Sequence, residues 1–353
     1  MKGISVSRRT FVKGAASLAS VAIITRRKGR AEAAGQLRVM DSGGQWQTAA
    51  KLALYDNFEK ETGIKVVYAS GMTGTAAQLK AMVQVGRVEW DVIDLGFRSL
   101  LRAAKEGLLE PLDYGVIKTD GFIPGTTHEF ALGFDAVAYV LAYNHEKFGS
   151  GGGPKSWADF WDPKKFPGRR SMGNQPVGQF ESALMADGVP PDKLYPIDME
   201  RAFRKLDQLK REILWWTAFA QQAQFAADRQ ADIIIGYNAR LQGAIDQGAP
   251  YTLVWNQTLL GLEGWGVVKG TPVKAEAMKF LAYTTRPEAQ AIFAQHMAYG
   301  PVNRDAYKFL SAERAKIMPT SPEAMRTAVK RDEQWWADNE AMAESKWAEW
   351  RVK

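Results

Sequence analysis

Apolar positions along this chain alternate between two periods. Leu37-Arg-Val-Met reads as a short strand, and Ala50, Leu54 and Phe58, four apart, mark a helix stopped at Gly63. Ile64-Lys-Val-Val-Tyr-Ala-Ser is a β-branched run of strand length. Ala76, Leu79 and Val83 mark a second helix ending near Gly86; Asp91-Val-Ile-Asp-Leu is a third strand, and Leu100 to Glu106 a third helix closed by Gly107. Such alternation predicts a parallel sheet with right-handed crossovers. Ligands of these sheets sit beyond the carboxyl ends of the strands, here Asp41 to Trp46, Ser70 to Thr75 and Gly96 to Arg98.

The pattern resumes after a loop-rich stretch from Tyr114 to Glu129. Asp135 to Asn144 predicts a long strand, Ser156-Trp-Ala-Asp159 a helix start, and Ser171 to Gln175 a strand end before the helix Phe180 to Ala186. Asp198 caps a longer helix whose stripe is Phe203, Leu206, Leu209 and Ile213. Gln221 to Ala227 and Ala239 to Gln247 read as helices around a buried strand, Ala231 to Asn238. Tyr251 to Trp255 and Gly264 to Lys269 read as two strands separated by a loop. Helices follow at Thr271-Pro272 and at Pro287, then an irregular loop from His296 to Asn303. Pro322 onward reads as helical, with Trp336, Ala343, Trp347 and Trp350 on one buried face. A second row of loops is expected at Gln175 to Gln179, Tyr237-Asn238 and Trp255 to Gly264.

The first 33 residues stand outside this pattern. Ser7-Arg8-Arg9-Thr10-Phe11-Val12-Lys13 matches a twin-arginine export signal, an apolar run follows from Ala15 to Ile24, and Ala31-Glu32-Ala33 supplies small residues for cleavage. Export through the twin-arginine translocase to the periplasm is the expectation. Residues 1–33 hold eight Lys or Arg and one Glu, so the net charge of +7 belongs to the leader and the remainder is neutral. No nucleic-acid footprint survives. The chain has no Cys, and its three His are isolated, so neither a disulfide framework nor a metal site is expected, and no cofactor. About 320 residues exceed one comfortable core, which predicts two lobes.

At Phe58-Glu-Lys-Glu-Thr-Gly-Ile-Lys-Val66 the chain resembles the extracellular solute-binding proteins of ABC importers, in particular the spermidine/putrescine-binding group. Trp90-Asp-Val, Lys105-Glu-Gly-Leu with Leu112-Asp113, Leu141-Ala-Tyr-Asn144, Ser156-Trp-Ala-Asp159 and Gly236-Tyr-Asn238 extend the resemblance. So do Ala282-Tyr-Thr-Thr-Arg-Pro-Glu-Ala289 and Ala298-Tyr-Gly-Pro-Val-Asn303. The resemblance implies an α/β, two-lobed type II periplasmic binding fold with crossing hinge strands. Residues 34–133 with 265–303 would form one lobe, and 134–264 with 304–353 the other. It also implies a monomer that traps a small-molecule solute by hinge closure, near Phe130 to Val137 and Gly261 to Gly266. The closed form is presented to a permease and its ATPase. An exported enzyme on the same scaffold is the alternative; the chain carries no Gly-x-Ser-x-Gly elbow and no clustered His.

Carried over position by position, the resemblance places Trp46 on an aromatic after the first strand and Thr48 where polyamine binders have Glu. Phe97 falls on an aromatic, Tyr237 on a stacking Trp, and Tyr299 on a binding Tyr. Gln175 and Gly178 occupy positions that are acidic in polyamine receptors. Gly264 falls where a central Asp sits, with Glu263 beside it as a stand-in, and Leu262 replaces an aromatic. The cleft therefore reads as holding one acid, Glu263, among Trp46, Phe97, Tyr237, Trp255 and Trp265. Aromatic faces stabilise a partly desolvated ammonium by ~0.5–2 kcal/mol each. Arg98 suits bidentate recognition of a carboxylate, and Thr73-Gly74-Thr75 opens a helix where an anion is favoured. The expected solute is a small nitrogen-containing molecule, polyamine-like or amino-acid-like: one acid with one guanidinium fits a small zwitterion, amino-acid-like or betaine-like, whereas each buried charge of spermidine would need a carboxylate.

Overall fold

The computed structural model describes residues 35–71 and 75–353; the expected leader and the Thr73-Gly74 pair lie outside the described residues. β1 (Gln36–Asp41) leads through α1 (Gly44–Ala50), a π-helical turn (Lys51–Tyr55) and α2 (Asp56–Thr62) to β2 (Lys65–Ser70). α3 (Thr75–Gln84), β3 (Val92–Gly96) and α4 (Phe97–Lys105) complete the first alternation. β1 pairs in parallel with β2 on one side and β3 on the other, as the apolar spacing predicts. Gly63 ends α2 in the left-handed region at φ 71°, where a residue without Cβ is least strained.

β4 (Thr127–His128) and the fully buried β5 (Ala131–Asn144) follow, then α5 (His145–Phe148), α6 (Trp157–Phe160), β6 (Arg170–Gly173) and α7 (Gln179–Ala186). Ser156 caps α6, its side chain accepting from the Asp159 amide. α8 (Met199–Asp207), β7 (Ile213–Trp216), α9 (Phe219–Ala227), β8 (Ile233–Tyr237) and α10 (Asn238–Asp246) form the second alternation, with β8, β6 and β7 again parallel. β9 (Tyr251–Val267), α11 (Lys274–Thr284), α12 (Pro287–His296), β10 (Gly300–Pro301), α13 (Ala312–Lys316), β11 (Val329–Lys330) and α14 (Glu333–Val352) close the chain.

The strands run β2-β1-β3-β9-β5-β8-β6-β7, so two parallel sets flank the antiparallel pair β9 and β5. That pair is the crossing element of the two-lobed α/β architecture. Leu132 and Phe134 of β5 belong to one apolar core, with Trp46, Trp265 and Phe280. Ala138 to Tyr143 of the same strand belong to another, with Phe180, Trp216 and Trp336.

Four local expectations are corrected. Trp255 to Gly264 is the interior of β9 and not a loop: β5 pairs with β9 from Leu132↔Trp265 to Asn144↔Tyr251. The glycines that resemble turn residues are there for close approach, since a Cβ on Gly264 would lie 2.2 Å from the Leu132 carbonyl oxygen. α8 stops at Asp207, and Ile213 opens the strand β7, where the Ile-Leu-Trp-Trp run pairs with β6. Gly300 and Pro301, expected in an irregular loop, pair with β5. The last helix begins at Glu333, after Val329 and Lys330 pair with β9. Its face of Trp336, Ala343, Trp347 and Trp350 is buried as predicted.

Candidate functional site

A cavity of about 510 Å³ opens where the carboxyl end of β1, the β3–α4 junction and the β8–α10 junction meet the crossing strands. Its walls include Ser42 to Trp46, Asp94 to Gly96, Arg98, Phe219, Tyr237, Arg240, Glu263 and Tyr299. The parallel strands run toward it, so their terminal loops supply most of the polar groups. Gly43 makes the turn out of β1 possible: its φ is +70°, and a Cβ there would lie 2.7 Å from Ser70 Cβ.

The floor is acidic. Glu263 of β9 stands opposite Asp135 of β5 and opposite Gly96 of β3, which puts Asp94 on the same patch two residues away. Asp94 is 2% exposed and Asp135 is 1% exposed. Ser42 Oγ donates to Asp94 Oδ2 at 2.6 Å, and Trp46 Nε1 donates to Asp135 Oδ2 at 3.2 Å. The second oxygen of each carboxyl, Asp94 Oδ1 and Asp135 Oδ1, has no hydrogen-bond partner. Burial first, and the charge of Glu263 second, push both carboxyls well above the ordinary carboxylate range. Glu263 is pushed up to about 7, chiefly by burial and against the opposing pull of Arg98, Arg331 and Arg240.

The other walls are aromatic and cationic. Trp46 is seated edge-on against Trp265 at 5.5 Å and Phe293 at 5.3 Å, which fixes its indole beside Asp135. Tyr237 packs at right angles on Tyr139 at 4.8 Å and carries Phe219 at 5.4 Å on its outer side. Phe219 is 40% exposed, an unusual amount for a large apolar ring, and lines the cavity. Arg98 Nε donates to Glu340 Oε1 at 2.7 Å, and Arg331 is paired with Glu333 at 2.8 Å. Arg240, exposed on the first turn of α10, makes no ion pair among the described residues. Asn238 holds that turn in place: its Oδ1 accepts from the Ala138 amide at 2.9 Å and its Nδ2 donates to the Ala298 carbonyl at 2.6 Å. The second bond also sets the loop that carries Tyr299.

Of the residues singled out in the sequence, Trp46, Arg98, Tyr237, Glu263 and Tyr299 converge on this cavity. Gln175 stands just behind it, its Nε2 donating to Tyr237 Oη at 3.4 Å. Thr48 is turned back on its own helix, donating to the Gly44 carbonyl at 3.2 Å. Phe97 lines a separate, mainly apolar cavity of about 320 Å³ with Leu101, Ala136 and Leu260. Trp265 is wholly buried in the core behind Trp46, and Trp255 lies in mid-β9 against the other core. The aromatic crevice is thus built by Trp46, Tyr237, Tyr299 and Phe219, without Phe97, Trp255 or Trp265.

The expectation of a single acid is corrected, because Asp94 lines the cavity beside Glu263, and the buried Asp135 stands across the strand pairing from Glu263. Each sits inside an apolar strand run, where an ionisable residue without structural need is itself a signal. Arg240, one helical turn past Tyr237, was also missed. At Gly178 no acid fits: φ is +83°, and a Cβ would lie 2.9 Å from Tyr139 Cδ1. The arrangement can receive a cation on the floor, stack it against Trp46 and offer an anion a guanidinium on α10. No metal-ligating group of three or more acidic, His or Cys residues occurs among the described residues.

The family described as bacterial extracellular solute-binding protein matches residues 53–343. The gamma-aminobutyric acid-binding protein of Pseudomonas aeruginosa is 37% identical over 323 residues, covering 90% of this chain and 91% of that protein. The spermidine/putrescine-binding periplasmic protein of Escherichia coli is 22% identical over 323 residues, covering 87% of this chain and 89% of that one. The solved structure described as the Atu4243-GABA receptor superposes with a TM-score of 0.83 at 36% identity, covering 90% of this chain and 98% of that chain.

Proposed function

The chain belongs to the bacterial extracellular solute-binding proteins, and from that premise we propose that it captures a small ω-amino acid for an ABC importer. The reading is carried by one observation: the cavity is lined on one side by the acids Asp94, whose Oδ1 has no hydrogen-bond partner, and Glu263, and on another by Arg240, which makes no ion pair among the described residues. The ammonium end of the solute would rest on Asp94 and Glu263, backed by the buried Asp135, beside the Trp46 ring. Its carboxylate would meet Arg240, whose planar fork suits bidentate pairing. A diamine leaves Arg240 facing a like charge, and that disfavours polyamines. The likeness to γ-aminobutyrate receptors supports the same choice.

In this reading the protein acts as a monomer in the periplasm after export by the twin-arginine route and removal of residues 1–33, and no helix among the described residues is long and apolar enough to cross a membrane. It binds without catalysis or cofactor. The lobes, residues 34–133 with 265–303 and 134–264 with 304–353, close about β5 and β9, because a solute touching both walls has higher affinity for the closed arrangement. That arrangement is what the permease and its ATPase receive. Calorimetric titration of the mature protein with γ-aminobutyrate and with putrescine tests the reading. Saturable binding of γ-aminobutyrate at least tenfold tighter than putrescine is expected; equal or tighter putrescine binding contradicts it.

A further inference from the structure

We propose that Asp94, Asp135 and Glu263 exchange a shared proton for the ammonium of the solute, so that capture releases a proton and tightens as the pH rises. The proposal rests on the reading of this floor as an ammonium receptor and adds a regulation to it. Three adjacent strands, β3, β9 and β5, bring the three carboxyls to one patch. Two of the three are sealed from solvent, each with one oxygen unpartnered.

Three arginines stand near the patch, and two of them are already committed to other carboxylates. Arg98 of α4 is engaged by Glu340, and Arg331 by Glu333. Arg240 of α10 is exposed. The other titratable neighbours are Asp41 at the end of β1, beside the phenol of Tyr55, and Tyr237 and Tyr299, none of which adds a positive charge. Three packed carboxylates facing such walls repel one another, and the site relieves the repulsion by retaining a proton that belongs to the cluster and not to one residue. The upward displacement of all three carboxyls from their ordinary range agrees with this.

An arriving –NH3+ group changes the balance. It brings a unit positive charge and three N–H donors, which suit the unpartnered Oδ1 of Asp94 and the carboxyl of Glu263 on the cavity wall, while Asp135 contributes charge from behind Glu263. The O–H bond of the protonated carboxyl breaks, the electron pair stays on the oxygen, and the proton passes to water. The ammonium keeps its own protons. With one proton released per solute, affinity rises about tenfold per pH unit across the range where the cluster is still protonated.

The test is calorimetric titration of the mature protein with γ-aminobutyrate, and in parallel putrescine, in phosphate and in Tris at matched pH near neutrality. These buffers differ in ionisation enthalpy, so the difference in heat counts the protons released. About one proton per γ-aminobutyrate is expected, with a dissociation constant that falls up to about tenfold from pH 6 to pH 7. Infrared spectra of the ligand-free protein should show a protonated-carboxyl C=O stretch at pH 7 that γ-aminobutyrate abolishes and that Asp94→Asn diminishes. Binding with identical heats in both buffers overturns the proton exchange and leaves the solute reading standing. Failure of both probes to bind overturns the solute reading and the exchange together. Absence of the carboxyl stretch overturns the exchange whatever binds.

Discussion

The Trp46 indole nitrogen donates to Asp135 Oδ2 at 3.2 Å, and this bond leaves Asp135 Oδ1 as an acceptor with nothing to accept. The ring fixes the carboxyl on one side and offers its own face to whatever satisfies the other. A buried acceptor left open costs about 1–3 kcal/mol, which a cationic solute recovers on binding.

Replacing Asp135 by Asn separates binding from folding. The amide preserves the shape and can still accept from Trp46, but carries no charge. Loss of one member of a buried charge pair costs about 2–5 kcal/mol, so γ-aminobutyrate affinity should fall at least thirtyfold by calorimetry (~2 kcal/mol). The melting temperature of the ligand-free variant should stay level or rise, because an unpaired acid has been removed from the interior.

Arg240→Gln addresses the other end of the solute. A charge-assisted hydrogen bond contributes ~1.5–3 kcal/mol, so γ-aminobutyrate should bind more weakly by about tenfold or more. Putrescine, which has no carboxylate, should bind no worse than to the parent. Equal loss for both ligands would place Arg240 outside the binding chemistry.

Stability of the ligand-free protein should fall as the pH rises from about 5 to 8. A carboxyl raised above its ordinary range in the folded state keeps its proton there at a pH where the unfolded chain has lost it. Folding is therefore favoured at the acid end and weakened as the pH climbs toward the folded values, about 7 for Glu263. A melting curve series across this range checks the slope, and saturating γ-aminobutyrate should flatten it.

Glu340 carries the opposite sign. Burial alone would raise its carboxyl, but Arg98 and Arg102, at 2.7 and 2.8 Å, outweigh that and hold it below the ordinary range. Its contribution is full above the unfolded value and is lost as the pH falls through the folded one. Glu340→Gln should lower stability at neutral pH by about 1–3 kcal/mol, and less at pH 3, as measured by denaturant unfolding. The pair joins α14 to α4 beside the cavity, so the same variant reports whether that contact survives solute binding.

Introducing the acid that polyamine receptors carry should not convert this site. Gly178→Asp places a Cβ at φ +83° against the Tyr139 ring, and strain of this kind costs about 1–3 kcal/mol. A lower melting temperature without gain of putrescine affinity is expected.

Much of this architecture was legible in the chain. Both alternations, the loops at strand ends and the indole face of α14 follow from apolar spacing alone. The misreadings have physical causes. Gly264 and Gly266 look like turn residues, yet a Cβ on Gly264 would lie 2.2 Å from the Leu132 carbonyl oxygen and one on Gly266 3.0 Å from Leu100, so they mark close packing along one 17-residue strand. Trp265 and Trp255 carry the right chemistry for a crevice, but Trp265 is covered by Trp46 in one core and Trp255 packs against the other. Asp94 and Asp135 were hidden because they interrupt runs that otherwise read as plain interior strand. Which acids share a patch depends on cross-strand register, and one chain's spacing does not reveal that.

The most direct test of the account is a crystal structure of the mature protein with γ-aminobutyrate. The nitrogen should lie within hydrogen-bond distance of Asp94 and Glu263 beside the Trp46 ring, with the carboxylate on the Arg240 guanidinium. A solute seated in the opposite sense, or one bound outside this cavity, contradicts it.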